Sequence, residues 1–420
     1  MSRRPAVRVR EPKREGQEIV FVVAEDSLPL SHPARLLWTA LGDFDLSAFV
    51  VDAKAVAHTA GRRVYSPRMM LTLWGYALSE GVVHARQIAR LIHRDVTYRW
   101  IVGDVDVGRS RLSDFLGRHR EALIDLLADV LGALMDAGLL WLPSHRLAQD
   151  GTKVRADAAI GSFRTAEGLA DCRAQAELHL KAVLATMDEP PLSAREQEAR
   201  ERGAMDVLDR IKAATAAVAA VAAQRAASRD PKRTATAKGS TTDPDARLMR
   251  LTDGSIAPAH NVQFATLGDP AGGPVAIVGV RVTSAGNDKG SLRPMRATVG
   301  ELTGHTPDEV LADPDHVTLD DLRLASAEGF TIVSRVPARW IPEGKGQDDV
   351  TRAWMQQVET EGSRAVYRGR KALAERPNAI LKDTYRLDRL TVRGRERVEC
   401  VAWLVAVMIT LREHRKHWLN

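Results

Sequence analysis

Along the chain the spacing of apolar positions changes several times. From His32 to Gly138 apolar residues recur every three or four positions, the period of helices with one buried face. Ser66 and Pro67 supply an N-cap and a first-turn proline. Met69, Met70, Leu73, Trp74 and Leu78 then share a face until Gly81 ends the run. A further helix is predicted over Ser110–Met135, with Leu112, Phe115, Leu116, Leu123, Leu127, Val130, Leu131 and Leu134 at helical spacing. The period then shortens in LAQDGTKV, Leu147–Val154, which predicts a strand bearing a single acid, Asp150. Two long helical patterns follow, Thr165–Asp188 and Leu192–Arg229, separated by Pro190 and Pro191. Met205, Leu208, Ile211, Val218 and Val221 form a stripe among alanines, which predicts a helical hairpin or coiled-coil-like arm, packed within the chain rather than on a partner.

Ser228–Asp245 is polar, basic and punctuated by Pro and Gly, as a linker would be. Strand patterns resume in AHNVQFATLG and PVAIVGVRVTSAG, divided by the hairpin-like run Gly268–Pro274. A helix near Leu292–Leu302, a strand EVLAD ending at Asp313, a helix over Leu319–Glu328 and a strand TIVSRVP come next. From Asp349 the pattern is helical again, with Glu375 inside Arg364–Lys382 and an apolar helix over Glu396–His414. One more strand-like run, EIVFVVAED, lies near the start. This order predicts a mixed α/β sheet behind a helical N-terminal domain, with a helical insertion after the first strand. The expected divisions are a basic arm at 1–30, a helical domain at 31–140 and a sheet domain at 141–420, with the insertion and linker at 160–240.

Length and charge refine this picture. The 420 residues suffice for two or three domains, and 45% hydrophobic against 27% charged residues excludes disorder of the whole chain. The formal charge of +6 is clustered: Arg3, Arg4, Arg8, Arg10, Lys13 and Arg14 form a basic arm, and Arg364–Arg397 holds eleven Arg or Lys against four acids. Such stripes suit a polyanion, because neutralised phosphates release counterions, although a solvated face has the same composition. His84, Arg86, Gln87, Arg90 and Arg94, followed by Tyr98, Arg99 and Trp100, lie where short helices could form a helix-turn-helix, with the arginines reaching DNA. A plain helical bundle is the alternative. Two cysteines, Cys172 and Cys400, support neither a disulfide framework nor a Cys-based zinc site, and Cys400 reads as a small buried residue. A reducing cytoplasm fits these cysteines, and with no apolar run long enough for a membrane span and no apolar signal-peptide core the chain predicts a cytoplasmic protein with no membrane partner.

Asp150, Asp313 and Glu375 are candidates for one metal site. If their strands are neighbours, the two aspartates can share a cation, and a helix leaning over the strand ends can add the glutamate. Hard divalent ions accept such oxygen ligands together with substrate phosphate. Among 54 acids, however, a plausible trio can always be chosen. His145, His260 and His316 lack zinc-type spacing and read as surface or core residues. The glycines of Gly268–Pro274 make no phosphate loop, since no Lys-Ser/Thr and helix follow.

Further segments carry a resemblance. TDPDARLMR (Thr242–Arg250), DGSIAPAHNVQFAT and VRVTSAGNDKGSLRPM resemble the DDE transposases of bacterial insertion sequences, as do SPRMMLTLWGYALSEG and VTYRWIVGD nearer the N-terminus. LAQDGTKV is similar to the strand bearing that family's first catalytic Asp, VLADPDH to its second, and YRGRKALAERPNAILK to its Glu helix. The likeness spans most of residues 30–415. It implies an RNase H-like catalytic domain in which Asp150, Asp313 and Glu375 hold Mg²⁺ or Mn²⁺, with two ions expected. It also implies cleavage and strand transfer at the ends of the element, by a homodimer or higher homo-oligomer acting on terminal inverted repeats and target DNA. Arg368, Arg370, Lys371 and Lys382 would hold phosphates, and Asn261 and Gln263 would support the site. Two departures stand out: Pro314, Asp315 and His316 replace a Gly-aromatic turn, which leaves Asp315 as an alternative ligand, and Pro377 and Asn378 replace Phe-Gly. A catalytically decayed DNA-binding regulator, or a nuclease of the same fold without strand transfer, therefore remains open.

Overall fold

A computed structural model describes residues 23–50, 64–140, 146–185, 193–226, 236–268, 273–340 and 348–419. The basic arm at 1–22 and His145 lie outside the described residues. Of the strand-like EIVFVVAED run, the described end, Ala24–Ser27, is a 3-10 turn and not a strand.

The helical N-terminal region follows its capping chemistry. α1 (Pro33–Gly42) starts on the His32 side chain. α2 (Pro67–Ser79) starts on Ser66, whose hydroxyl accepts from Met69 N, and ends before Gly81 at φ +70°. Short helices α3 (Ala85–Leu91) and α4 (Val96–Val102) follow, the latter capped by Asp95. The single helix predicted over Ser110–Met135 is instead two, α5 (Arg109–Phe115) and α6 (Arg120–Asp136). The break falls at Gly117, a poor helix former, and there a Cβ would stand 3.0 Å from Arg397 Cγ. Absence of a side chain lets the later chain cross closely.

β1 (Arg146–Arg155) is the predicted LAQDGTKV strand with one more residue at each end. β2 (Phe163–Arg164) leads into the hairpin of α7 (Ala166–Ala185) and α8 (Ala194–Ala226), which pack together over Leu169, Ala176, Ile211, Ala214 and Val218. The described part of the expected linker is no solvated tether. β3 (Gly239–Ser240) pairs with β2, and Ser240 and Asp243 are fully buried, because Asp243 pairs with the equally buried His260 at 3.0 Å. β4 (Arg247–Arg250) was hidden in the sequence by the arginines at its two ends.

β5 (Ile256–Gly268) pairs antiparallel with β1 along one edge; along the other it pairs with β4 and with β6 (Val275–Thr283). α9 (Leu292–Thr303) precedes β7 (Glu309–Leu311), and α10 (Leu319–Glu328) precedes β8 (Thr331–Val333). β7 is parallel to both β1 and β8. The result is a mixed sheet ordered β6-β5-β1-β7-β8, with β4 beside β5. Arg146 and Glu309 face each other across the β1–β7 pair and form an ion pair.

After α11 (Asp349–Val358) the helix predicted over Arg364–Lys382 is also divided, into α12 (Glu361–Arg368) and α13 (Arg370–Ala379), with Gly369 between them. α14 (Arg395–Glu413) is apolar on nearly all sides and accordingly buried against β6 and α6. Its residues, the faces of α2 and α6, and Val262, Phe264 and Val280 share one hydrophobic cluster. α13 packs against β1 and β5, placing Leu373 and Ala374 in a smaller cluster with Ala148, Leu311 and Val333.

Candidate active site

The two aspartates are brought together by strand register. Ala148 of β1 is paired with Leu311 of β7, and Asp150 and Asp313 each lie two residues further in the same direction. Alternation returns both to the face of their neighbours Ala148 and Leu311, beneath α13. β7 has ended by then, so Asp150 stands at an edge of β1 that no strand of the described residues covers. This opening at the carboxyl ends of two parallel strands, where β1 has an antiparallel neighbour on its other side, is where α/β sheets commonly bind ligands.

A guanidinium joins the pair. Arg370 Nη2 lies 3.6 Å from Asp150 Oδ1 and 3.6 Å from Asp313 Oδ2, and the arginine side chain is 9% exposed. Its Nε is buried with no hydrogen-bond partner among the described residues. Asn378, two turns further along α13, donates from Nδ2 to Asp150 Oδ2 at 3.1 Å. Burial pushes the Asp150 carboxyl above its usual range, against the opposing pull of Arg370, His316, the Gly151 N–H and Asn378. Burial lowers the Lys382 ammonium pKa, while nearby Asp150 favours its charged form.

Local sequence explains how α13 reaches this face. Pro377 has no N–H to give the carbonyl of Leu373, and the Thr266 hydroxyl of β5 donates to that oxygen at 3.0 Å instead. A π-type turn, Ile380–Thr384, then ends the helix.

Glu375 is not brought to the pair. At about 100° per residue it sits roughly 140° around α13 from Arg370 and roughly 60° from Asn378. Its side chain is 50% exposed, with Lys371 Nζ at 3.9 Å. Among the described residues no group of three or more His, Cys, Asp or Glu side chains is arranged to hold a metal ion. Asp315, the alternative ligand, is exposed, and its N–H donates to Asp313 Oδ1 at 3.0 Å.

The basic residues divide by environment. Arg368 and Lys371 are exposed, Arg368 with Glu361 at 3.0 Å, whereas Arg370 is turned inward. Arg86, Gln87 and Arg90 project from α3 and Arg94 follows it, all four exposed, while Ile88 anchors the helix.

Asn261 and Gln263 meet an acid that sequence reasoning passed over. Asp288, in the loop after β6, accepts from Asn261 Nδ2 at 2.6 Å and Gln263 Nε2 at 2.8 Å, and stands 3.4 Å from His316 Nε2. Burial would push its carboxyl up, but His316, Asn261 and Gln263 outweigh that and hold it well below the usual carboxylate range. The sequence signal was faint: an Asp inside the turn-like run Gly286–Gly290 looks solvated.

Residues 22–118 match the family model described as transposase domain (DUF772), which supports a transposase role in general terms. No curated protein and no solved structure matches the chain. Among the described residues no helix is long and apolar enough to cross a membrane.

Proposed function

We propose that this chain is a DDE-type transposase that cuts DNA at the ends of its own insertion element and joins the freed ends to target DNA. The observation that carries the reading is the convergence of Asp150, on β1, and Asp313, just past the end of neighbouring β7, on the same Arg370 nitrogen. The match over residues 22–118 supports it from the other half of the chain. The strand order also fits the RNase H-like arrangement: three antiparallel strands, then two parallel ones, with α9 and α10 on the connections.

The donor set at this opening has the chemistry of a divalent-cation site. Asp150 and Asp313 converge on one positively charged nitrogen, and the neighbouring Asn378 Oδ1 is buried with no partner among the described residues. Oxygen donors converging on a positive centre suit Mg²⁺ or Mn²⁺, so these two acids are the assigned ligands. Glu375 joins them only if α13 or its side chain turns toward the sheet. A bound cation would supply Lewis-acid activation of the attacking oxygen and charge neutralisation at the phosphate, with a second ion sharing that work.

The chain's own residues do the rest. Arg370 neutralises the two acids in the free protein and is the nearest cation for a phosphate entering the opening. Lys382, Lys371 and Arg368 extend that positive lining and fix the DNA backbone without reading its sequence. Arg86 and Arg90 on α3, with Arg94 in the turn after it, offer an exposed basic surface for duplex DNA. In the first step water adds to phosphorus and the 3′-oxygen leaves, protonated, as the free end. In the second, that hydroxyl attacks a target phosphodiester and expels the target's own 3′-oxygen. Pairing two element ends calls for a homodimer or larger assembly, acting at the nucleoid.

The deciding experiment is excision in cells of a marker flanked by the element's native ends. Precise loss with wild type and none with Asp150→Asn is expected. The outward position of Glu375 favours one second reading, a decayed DNA-binding regulator. No loss with either protein, while purified wild type still binds those ends, would establish it. Cut ends that never join new DNA would leave a nuclease of the same fold.

A further inference from the structure

Asp313 lies beyond the last residue of β7, and no ladder places it. The final backbone contact of that edge is Ala312 N to Val333 O at 3.1 Å. Past it the chain turns: His316 N–H donates to the Asp313 carbonyl at 2.9 Å, Pro314 occupies the second position, and Asp315 N–H ties the Asp313 carboxylate at 3.0 Å. A turn of this kind fixes its own shape but not where it sits.

What anchors it is the far end. The His316 ring is 2% exposed, and its Nε2 lies 3.4 Å from Asp288 Oδ2. Asp288 Oδ1 in turn is held by Asn261 and Gln263, each 1% exposed and both on β5. The same carboxylate touches β1, since a Cβ on Gly151 would come within 2.5 Å of Asp288 Oδ1. Gly151 pairs with Gln263 and follows Asp150, so one carboxylate touches the first acid's strand and, through His316, the second acid's turn. A core selected for stability alone would fill this space with apolar groups, because buried polar networks leave atoms unmet. Here Asn261 Oδ1, His316 Nδ1 and Gln149 Oε1 find no partner among the described residues.

We propose that Asp288 is a positioning residue for the second acid: by anchoring His316 to β5 it sets where Asp313 stands relative to Asp150. The chain thereby replaces a tight glycine turn with a Pro-Asp-His turn pinned from outside. This inference rests on the reading of Asp150 and Asp313 as the cation site.

The test is Mn²⁺ binding to the full chain by calorimetry, with a thermal melt of each variant. Asp288→Ala and His316→Leu are each expected to weaken Mn²⁺ binding by about 10–100-fold at unchanged stoichiometry, the usual cost of losing a partner that orients a ligand. His316→Gln keeps a donor near the Nε2 position and should stay within about threefold of wild type, and the Asp288→Ala/His316→Leu double variant should be no weaker than the worse single one. Unchanged affinity in Asp288→Ala beside a lowered melting temperature would overturn the proposal, leaving a packing role. So would equal damage from Gln and Leu at 316, or additive losses. Mn²⁺ binding by wild type that survives Asp150→Asn, or none at all, would overturn the site reading itself, and the anchor with it.

Discussion

The strand-borne pair and the helix-borne acid were located by the same kind of sequence reasoning, yet the fold treats them differently. A strand pair has a period of two, so once Ala148 meets Leu311 the side of the sheet is set for Asp150 and for the chain leaving β7 toward Asp313, and only the turn at His316 is left to fix. A helix places a side chain by its rotation. Glu375 needs roughly a further sixth of a turn, measured from Asn378, to face the acids. Register is digital and rotation is continuous, which is why the pair is formed in the free protein and the third acid is not.

The sharpest way to break this comparison is chemical. Asp150→Asn or Asp313→Asn should lower excision by at least about a thousandfold, some 4 kcal/mol in barrier, with binding to duplex ends retained. Glu375→Gln should be as damaging to excision, yet Mn²⁺ affinity should fall by less than about threefold, against about thirtyfold or more for Asp150→Asn. Equal losses of affinity would show that Glu375 already belongs to the resting site.

The platform comes next. Leu311 is fully buried beneath α13, and Leu311→Ala should cost about 2–5 kcal/mol by chemical denaturation. A cost under about 1 kcal/mol would mean that the β7 edge collapses freely and does not fix Asp313.

A smaller effect tests the guanidinium. Replacing Arg370 by Gln removes a cation 3.6 Å from both acids and should tighten Mn²⁺ binding about tenfold in the absence of DNA while weakening binding of the ends. Weaker Mn²⁺ binding would show that Arg370 orients the acids rather than competing for them.

The smallest effect is in pH. Asp288 has a folded-state pKa below its unfolded one, so it contributes stability above the ordinary carboxylate range and loses it as pH falls toward the folded value. Urea midpoints should therefore fall less for Asp288→Asn than for wild type between about pH 5 and pH 2.5. Identical slopes would remove Asp288 from the set of acids that drive acid unfolding.

Much of this was legible beforehand, for identifiable reasons. β1 is bounded and carries a single acid; α10 begins at Thr318 with a full capping box to Asp321; α14 is too apolar to be anything but buried. The breaks at Gly117 and Gly369 were missed because the apolar spacing runs across them unbroken. β4 was missed because Arg247 and Arg250 look like surface residues, although Met249 between them is buried. Asp288 was illegible for a deeper reason: its partners come from β5 and from the turn after β7, and only the folded sheet brings those together.

α14 has a consequence for synthesis. The helix fills the space between β6 and α6, and both of those are made long before it. Chains begin to fold as they emerge, but here the earlier elements must wait with their apolar faces exposed until Arg395–Glu413 has been translated. A messenger cut short before that segment would yield no partly active fragment, only a species open to aggregation and proteolysis. Under the proposed transposase role, translation through Glu413 is thus a condition of activity.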